Sequence, residues 1–180
     1  MLNGTNLASA SSLNTNTWYH IAGVYDGATM KIYLDGALDA TGNAPASIVS
    51  NSTFALGRNY ANSRCLDGSL DELRVWKRAL TAAEIVSNAC AVSASAPALE
   101  AYWPCNEATG SVANDATGHG HTGNLSGMVL SDWTNNVPTQ CASVTAVRGA
   151  RSAAGLQVLV LGNPAHGNRA VFVILFSDGR

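Results

Sequence analysis

Charged residues are scarce in this sequence. They make up 12% of its 180 residues, about half of the roughly 25% that is usual for a globular protein. Only two lysines occur, Lys31 and Lys77, and the formal net charge is −2. The sequence therefore lacks the basic patch that attracts nucleic acid or anionic lipid. Serine, threonine, asparagine and glycine must supply the polar surface, a composition common in exported proteins.

Long apolar stretches and targeting signals are also missing. No run approaches the roughly 18 apolar residues of a membrane-spanning helix, and the last apolar run, at residues 171–176, has the length of a strand. Residues 1–15 contain no basic segment followed by an apolar one, so no signal peptide is visible. We therefore expect either a cytosolic protein or a true N-terminus that lies upstream of Met1.

Zinc-binding cysteine spacing is absent too, because no C-x-x-C pair occurs. An even number of cysteines in a chain of low charge favours disulfides and an oxidising compartment. Four buried thiols are the alternative that the sequence leaves open. The disulfide candidates are Cys65, Cys90, Cys105 and Cys141.

Alternation of apolar and polar residues predicts strands with a period of two. Residues 17–36 predict a hairpin, with turn chemistry at Asp26-Gly27 and at Asp35-Gly36. In the strand at 70–76, alternation places Leu70 on the same face as Glu72, Arg74 and Trp76. Further strands are predicted at residues 54–57 and 99–103, with a final hairpin at 156–161 and 171–176.

One short helix is predicted after residue 80. Thr81 and Glu84 form a T-x-x-E capping box around two alanines, and the helix is expected to end near Asn88. Small, flexible residues at 91–97 and 135–155 are typical of linkers. Short strands, glycine turns and a single helix together predict an all-β, antiparallel sandwich.

Family motifs follow one another between residues 17 and 85: W-Y-H-x-A, Y-D-G, Y-x-D-G, G-x-x-D-E-x-R-x-W and R-A-L-x-x-x-E-I. In this order they resemble the C-terminal half of laminin-G-like domains of the concanavalin-A-like lectin/glucanase type. The resemblance implies an antiparallel jelly-roll β-sandwich with one short helix after its last strand. The sandwich is expected to be incomplete, because the family's earlier strands do not precede Trp18.

Two further resemblances concern the rest of the chain. Residues 99–133 are similar to the opening strand and loop of such a domain, and they either begin a second copy or complete the first. Residues 156–180, with an N-P-x-x-G turn between apolar strands, resemble the start of a type IX secretion sorting domain. We therefore divide the chain at 1–91, 92–141 and 142–180, and we expect the last segment to be loosely attached and both ends to be cut.

Catalysis on this fold requires carboxylates aligned on one face, one acid and one nucleophile. The acidic cluster of Asp67, Asp71 and Glu72 lacks that alternate spacing, since adjacent strand residues point to opposite faces. We therefore assign no catalytic residue and expect a protein that is not an enzyme.

Metal and ligand candidates lie in loops. Calcium prefers oxygen ligands, which Asp115 and the carbonyls of 116–124 supply; Asp26 and Asp35 are weaker candidates because turns already explain them. His119 and His121 could bind a transition metal, with Asp115 as the one further ligand close in sequence, but a solvated loop explains the two histidines better. Strand aromatics are expected in the core, which leaves Tyr60 as the candidate to stack on a sugar.

These features predict a non-catalytic extracellular binding or adhesion module of an exported bacterial surface protein, with a glycan or protein ligand. The family resemblance also allows two other functions. One is an accessory domain of a larger secreted polysaccharide-degrading enzyme, and the other is a structural spacer. The C-terminal segment is expected to engage the secretion machinery.

Overall fold

The computed structural model describes residues 7–44, 66, 68–90, 92–126 and 133–135 in full, and the backbone alone of 146–148 and 171–178. These residues form one helix, α1 (Ala82–Ser87), and ten strands. The strands are β1 (Trp18–Tyr25), β2 (Thr29–Leu34), β3 (Ala37–Asn43), β4 (Gly68–Trp76), β5 (Leu99–Trp103), β6 (Val112–Ala113), β7 (Gly123–Asn124), β8 (Trp133–Thr134), β9 (Ala146–Arg148) and β10 (Val171–Asp178).

Eight of these strands form a single antiparallel sheet in the order β3-β2-β1-β10-β4-β9-β8, with β5 also paired to β4. Strands β6 and β7 form a separate two-stranded ribbon. The structure confirms the predicted all-β antiparallel fold with one short helix, and it agrees with an incomplete sandwich. Within the described part of the chain, no helix is long and apolar enough to cross a membrane.

Strand β10 occupies the centre of the sheet although it comes from the end of the chain. Its register pairs Val173 with Ala22 of β1 on one side and with Arg74 of β4 on the other. The strand predicted at 171–176 is therefore confirmed, and it pairs with a neighbouring strand on both edges. The expected loose attachment of residues 142–180 stays a prediction. The division at 1–91, 92–141 and 142–180 stays a prediction.

A β-bulge interrupts β4 opposite β10. Arg74 pairs with Val173 and Asp71 pairs with Leu175, so β4 carries one residue more than β10 in this interval. Glu72, within the bulge, has a φ of 54°. The extra residue breaks alternation, and Leu70 packs in the same cluster as Leu73 and Val75. The predicted placement of Leu70 with Trp76 is therefore wrong, because a bulge shifts the strand's face by one residue.

Helix α1 begins as its sequence predicts. The Thr81 side chain accepts from the Glu84 backbone N–H, and the Glu84 carboxylate accepts from the Thr81 backbone N–H. Ile85 is fully buried against Ala22 and Trp76 in the cluster that joins the helix to the sheet. The helix therefore covers one face of the sheet around β1 and β4.

Two further apolar clusters complete the core. One joins Tyr19, Ile21 and Ile32 of the β1–β2 hairpin to partly buried leucines of the segment before Trp18. The other joins Leu73 to Ala101 and Trp103 of β5 and to the loop after it. Because β5 pairs with β4, the segment after the helix shares a core with the preceding strands. The predicted strands at 54–57 and 156–161 lie outside the described residues.

Candidate functional site

Four polar side chains meet on the surface where β5 adjoins the loop that follows it. We call Lys77, Glu100, His119 and His121 the Glu100 patch. The Glu100 Oε1 atom lies 3.0 Å from His121 Nε2, and Glu100 Oε2 forms an ion pair with Lys77. His119 Nδ1 lies 3.0 Å from the Glu100 backbone oxygen. The Lys77 and histidine side chains are 44–51% exposed, whereas Glu100 is 14% exposed, so three nitrogen-bearing groups surround a half-buried carboxylate.

Local strand geometry explains why these residues converge. Leu99, Ala101 and Trp103 are buried, and the residues between them are half-buried. Alternation therefore directs Glu100 away from the β5 core residues. Lys77 follows β4, and its backbone N–H donates to the Ala98 oxygen at 2.8 Å, which brings its side chain beside Glu100.

Asp115 organises the loop that carries the two histidines. Its Oδ1 accepts from the backbone N–H groups of Tyr102 and Thr117 and from the Thr117 hydroxyl, while Oδ2 accepts from the His121 N–H at 3.1 Å. Partial burial acts to raise the pKa of Asp115, but these hydrogen bonds outweigh it and lower the pKa. Calcium at Asp115 stays a prediction, and in the structure its carboxylate holds the loop against β5.

Glu100 is held in its ionised form by its neighbours. Burial raises the pKa of this carboxyl group, but hydrogen bonds from Lys77 and His121 oppose that effect and lower the pKa below its ordinary value. A carboxylate stabilised in this way accepts hydrogen bonds at neutral pH. Sequence reasoning missed Glu100, although its alternate position in the L-E-A-Y-W strand was the signal that could have identified it.

The two histidines lie beside Glu100. From the sequence, Asp115 was the residue expected to join them in binding a metal. His121 is linked to Asp115 only through its backbone N–H. Among the described residues, no group of three histidine, cysteine or acidic side chains is arranged to hold a metal ion.

The weaker calcium candidates serve in turns. Asp26 Oδ1 accepts from the backbone N–H groups of Ala28 and Thr29, and Oδ2 accepts from the Thr29 hydroxyl and from Lys31. Hydrogen bonds from Thr29 in particular lower the pKa of Asp26. Asp35 Oδ1 accepts from the His20 N–H at 2.8 Å.

The acidic residues of β4 are buried. Asp71 has no exposed surface, and Glu72 is 5% exposed. Glu72 forms an ion pair with the buried Arg74 and accepts a 2.7 Å hydrogen bond from the Tyr102 hydroxyl. The Arg74 guanidinium lies 4.9 Å from the Tyr102 ring centroid and also donates to the Asn88 oxygen at the end of α1. Burial, followed by the nearby Glu72, raises the pKa of Tyr102 to about 12. The hydrogen bonds and the ion pair among Glu72, Arg74 and Tyr102 therefore join the helix to the sheet. Asp67, the third member of the predicted acidic cluster, lies outside the described residues.

Four large aromatic residues of the strands are in the core, as the sequence predicts for strand aromatics. Tyr25, Tyr33, Trp76 and Trp103 are buried, and Trp103 Nε1 donates to the His121 oxygen at 2.6 Å. Trp133 is half-buried and donates to the Gly110 oxygen. Tyr60, the predicted stacking residue, lies outside the described residues, so its role stays a prediction.

The cysteines fall into different chemical states. Cys90 is disulfide-bonded, which agrees with the disulfide prediction for that residue. Cys105 is a buried thiol that donates to the Trp103 oxygen at 3.6 Å. Burial, with smaller contributions from Asp71 and Glu107, raises the pKa of this thiol. The disulfide prediction is therefore wrong for Cys105, which is a thiol in the structure. Cys65 and Cys141 lie outside the described residues, so their pairing stays a prediction.

Comparison with known proteins gives one family match. Residues 2–86 match the laminin-G model of the concanavalin A-like lectin/glucanases superfamily. The match supports the laminin-G-like resemblance for that part of the chain, while the resemblances at 99–133 and 156–180 stay predictions. No curated protein and no solved structure matches the chain.

Proposed function

We propose that this protein is a non-catalytic module that binds glycans, with the Glu100 patch in contact with the ligand. The match of residues 2–86 to a superfamily of lectins and glucanases supports a carbohydrate ligand. Fold alone does not define function, so the proposal depends on the patch. Its central observation is the half-buried, ionised Glu100 surrounded by exposed donors.

The chemistry of the patch suits sugar hydroxyls, each of which both donates and accepts hydrogen bonds. The Glu100 carboxylate accepts, while the Lys77 ammonium donates and the histidine rings can do either. Asp115 holds the histidine loop in place, so little ordering is required on binding. Preorganised polar groups of this kind favour affinity by reducing that cost.

The two lysines of the chain provide a matched test. Lys77 pairs with Glu100 inside the patch, whereas Lys31 pairs with Asp26 in a turn, with 3.2 Å between Nζ and Oδ2. On a glycan array we expect Lys77→Ala and Glu100→Gln to weaken binding by about tenfold, the effect of a lost charge-assisted hydrogen bond. Lys31→Ala should bind as the unmodified chain does.

Equal binding by the two lysine variants would contradict the assignment of the patch. Absence of binding to any glycan would contradict the proposed ligand class and would favour a protein ligand or a spacer. Release of sugar from a β-glucan, abolished by Asp71→Asn, would overturn the non-catalytic assignment.

We also propose that the protein is exported and acts outside the cell. The disulfide at Cys90 supports this, because disulfides persist in oxidising compartments, and the scarcity of charge is consistent with it. We place the export signal in residues 142–180, which contain the N-P-x-x-G sequence at 163–167. Pro164→Ala combined with Gly167→Ala is expected to reduce secretion in a host with type IX machinery, and unchanged secretion would contradict that assignment.

A further inference from the structure

Each histidine ring of the Glu100 patch has one nitrogen bound to the protein and one that is not. His119 Nδ1 lies 3.0 Å from the Glu100 backbone oxygen, and His121 Nε2 lies 3.0 Å from Glu100 Oε1. Among the described residues, neither His119 Nε2 nor His121 Nδ1 has a hydrogen-bond partner. The two side chains are about half exposed, so each ring has one nitrogen left for a ligand.

The atoms of Glu100 determine which nitrogen of each ring carries the proton. A backbone oxygen only accepts hydrogen bonds, so His119 Nδ1 must carry a proton. Burial raises the pKa of the Glu100 carboxyl group, but hydrogen bonds from Lys77 and His121 lower it below its ordinary value. The ionised carboxylate also accepts only, so the proton of His121 lies on Nε2. In a neutral imidazole the other nitrogen is an acceptor, and therefore His119 Nε2 and His121 Nδ1 both accept.

Neighbouring groups hold both rings in these orientations. The His121 backbone N–H donates to Asp115 Oδ2 at 3.1 Å, and the His119 backbone N–H donates to Thr117 Oγ1 at 3.2 Å. The oxygens of the Glu100 carboxylate are already engaged by His121 and Lys77. Glu100 is therefore a positioning residue for His121, whereas the two free ring nitrogens are acceptors without a partner in the described part of the chain.

We propose that His119 Nε2 and His121 Nδ1 are ligand-binding atoms of the patch, and that they select neutral sugars whose hydroxyl groups donate a hydrogen bond to each ring. This inference rests on the proposed glycan-binding function and adds the direction of the hydrogen bonds. A sugar hydroxyl can donate to an acceptor nitrogen. The oxygens of a sulfate or an ionised carboxylate only accept, so an acidic sugar places its lone pairs against those of the rings. An ether oxygen also lacks a donor, although it adds no charge.

Nuclear magnetic resonance of the ring nitrogens tests the two tautomers without a ligand. Spectra of the isotope-labelled full chain are recorded at about pH 8, above the range in which histidine ordinarily titrates. His119→Asn and His121→Gln identify the signals of the two rings. We expect the proton on Nδ1 of His119 and on Nε2 of His121. The opposite tautomer at either ring would overturn the proposal.

Glu100→Gln tests the positioning role in the same spectra. An amide both donates and accepts, so we expect His121 to become a mixture of its two tautomers. His119 should not change, because its partner is the backbone oxygen of residue 100. An unchanged His121 in this variant would contradict the assignment of its proton to Glu100.

Two pairs of substitutions separate the bound nitrogen of each ring from the free one. His119→Asn and His121→Gln keep an amide nitrogen where the ring bonds Glu100, and they remove the free acceptor. His119→Gln and His121→Asn place an amide at the position of the free nitrogen, and they remove the bond to Glu100. The probe is cellohexaose, a neutral glucan, in isothermal titration calorimetry. We expect the first pair to weaken binding by about tenfold each and the second pair to weaken it less. Equal losses in the two pairs would overturn the proposal.

Methylated cellohexaose tests the need for donors on the ligand. With every hydroxyl methylated, the sugar keeps its oxygen acceptors and has no donor. We expect the unmodified chain to bind it at least about tenfold more weakly than cellohexaose, and a variant with both His119→Asn and His121→Gln to discriminate less between the two sugars. Equal affinity of the unmodified chain for both sugars would overturn this inference and leave the proposed function intact. No binding of cellohexaose would also overturn it, and the glycan array then decides separately whether the proposed ligand class fails.

Discussion

At the scale of single residues, Gly36 shows how closely the helix approaches the sheet. It has a φ of 82°, and a Cβ built on it would lie 2.5 Å from Cγ2 of Val86 on α1. Gly27, in the preceding turn, has a φ of 98° but no atom within 4 Å of such a Cβ. The two glycines therefore separate the cost of backbone conformation from the cost of a steric clash.

We expect Gly27→Ala to lower the free energy of unfolding by about 1–2 kcal/mol, the cost of placing a Cβ in the left-handed region. Gly36→Ala should cost about 1–3 kcal/mol more, because the Val86 side chain or the helix that carries it must also move to relieve overpacking. Urea denaturation measures both. Equal losses would show that α1 does not rest on the turn.

Asp115 is the residue on which the histidine loop depends. Asp115→Asn replaces one accepting oxygen by a donor that faces N–H groups, so we expect a loss of about 2 kcal/mol in unfolding free energy.

Thermal unfolding with and without millimolar calcium tests the sequence-based calcium prediction on the same variant. A midpoint that rises with calcium in the unmodified chain only would support it, and identical calcium responses would contradict it.

At the scale of elements, α1 is short and depends on its ends and on its contacts with β4. Its N-terminus is closed by the capping box, and near its C-terminus Arg74 donates to the oxygens of Asn88 and Ala89. Thr81→Ala removes the capping hydroxyl, and we expect it to lower the free energy of unfolding by about 1 kcal/mol. Thr41→Ala, on edge strand β3, serves as the control in urea denaturation, and equal losses would contradict a specific role of the cap.

The first turn of α1, which contains Glu84, leads us to expect that stability depends on pH. Hydrogen bonds from Arg78, and next from Thr81, lower the pKa of Glu84 from 4.5 to about 2. A lowered pKa means that this contribution to stability is complete above about pH 4.5 and is lost as the pH falls towards 2. The Arg78–Glu84 pair is partly exposed, so solvent screening keeps the effect small. Urea midpoints of Glu84→Gln should change less over this range than those of the unmodified chain, and parallel curves would contradict it.

At the scale of the whole molecule, β10 joins two halves of the sheet that do not otherwise pair among the described strands. The β1–β3 meander lies on one side of it, and β4 with its neighbours lies on the other. Unpaired strand edges promote association between chains. We therefore expect Ile174→Pro, which removes a backbone donor and fixes φ, to cause self-association in size-exclusion chromatography. A monomer with an unchanged unfolding midpoint would show that the sheet does not require β10.

Local signals in the sequence determined the elements of this protein. The D-G turns, the alternation in β2 and β5 and the T-x-x-E box each concern residues within a few positions of one another, so their chemistry identifies strands, turns and a capped helix without the rest of the chain. The predicted all-β antiparallel fold followed from these signals. The motif order between residues 17 and 85 added the family resemblance.

Only the tertiary structure decided what depends on residues distant in the sequence. The bulge at Glu72 moved Leu70 to another face, and it is defined by pairing with β10, about a hundred residues later. Glu100 is the centre of a polar patch because Lys77, which follows β4, and His121, which follows β5, both contact its carboxylate. Periodicity assigns a side chain to a face, whereas the neighbours on that face depend on the order of strands in the sheet.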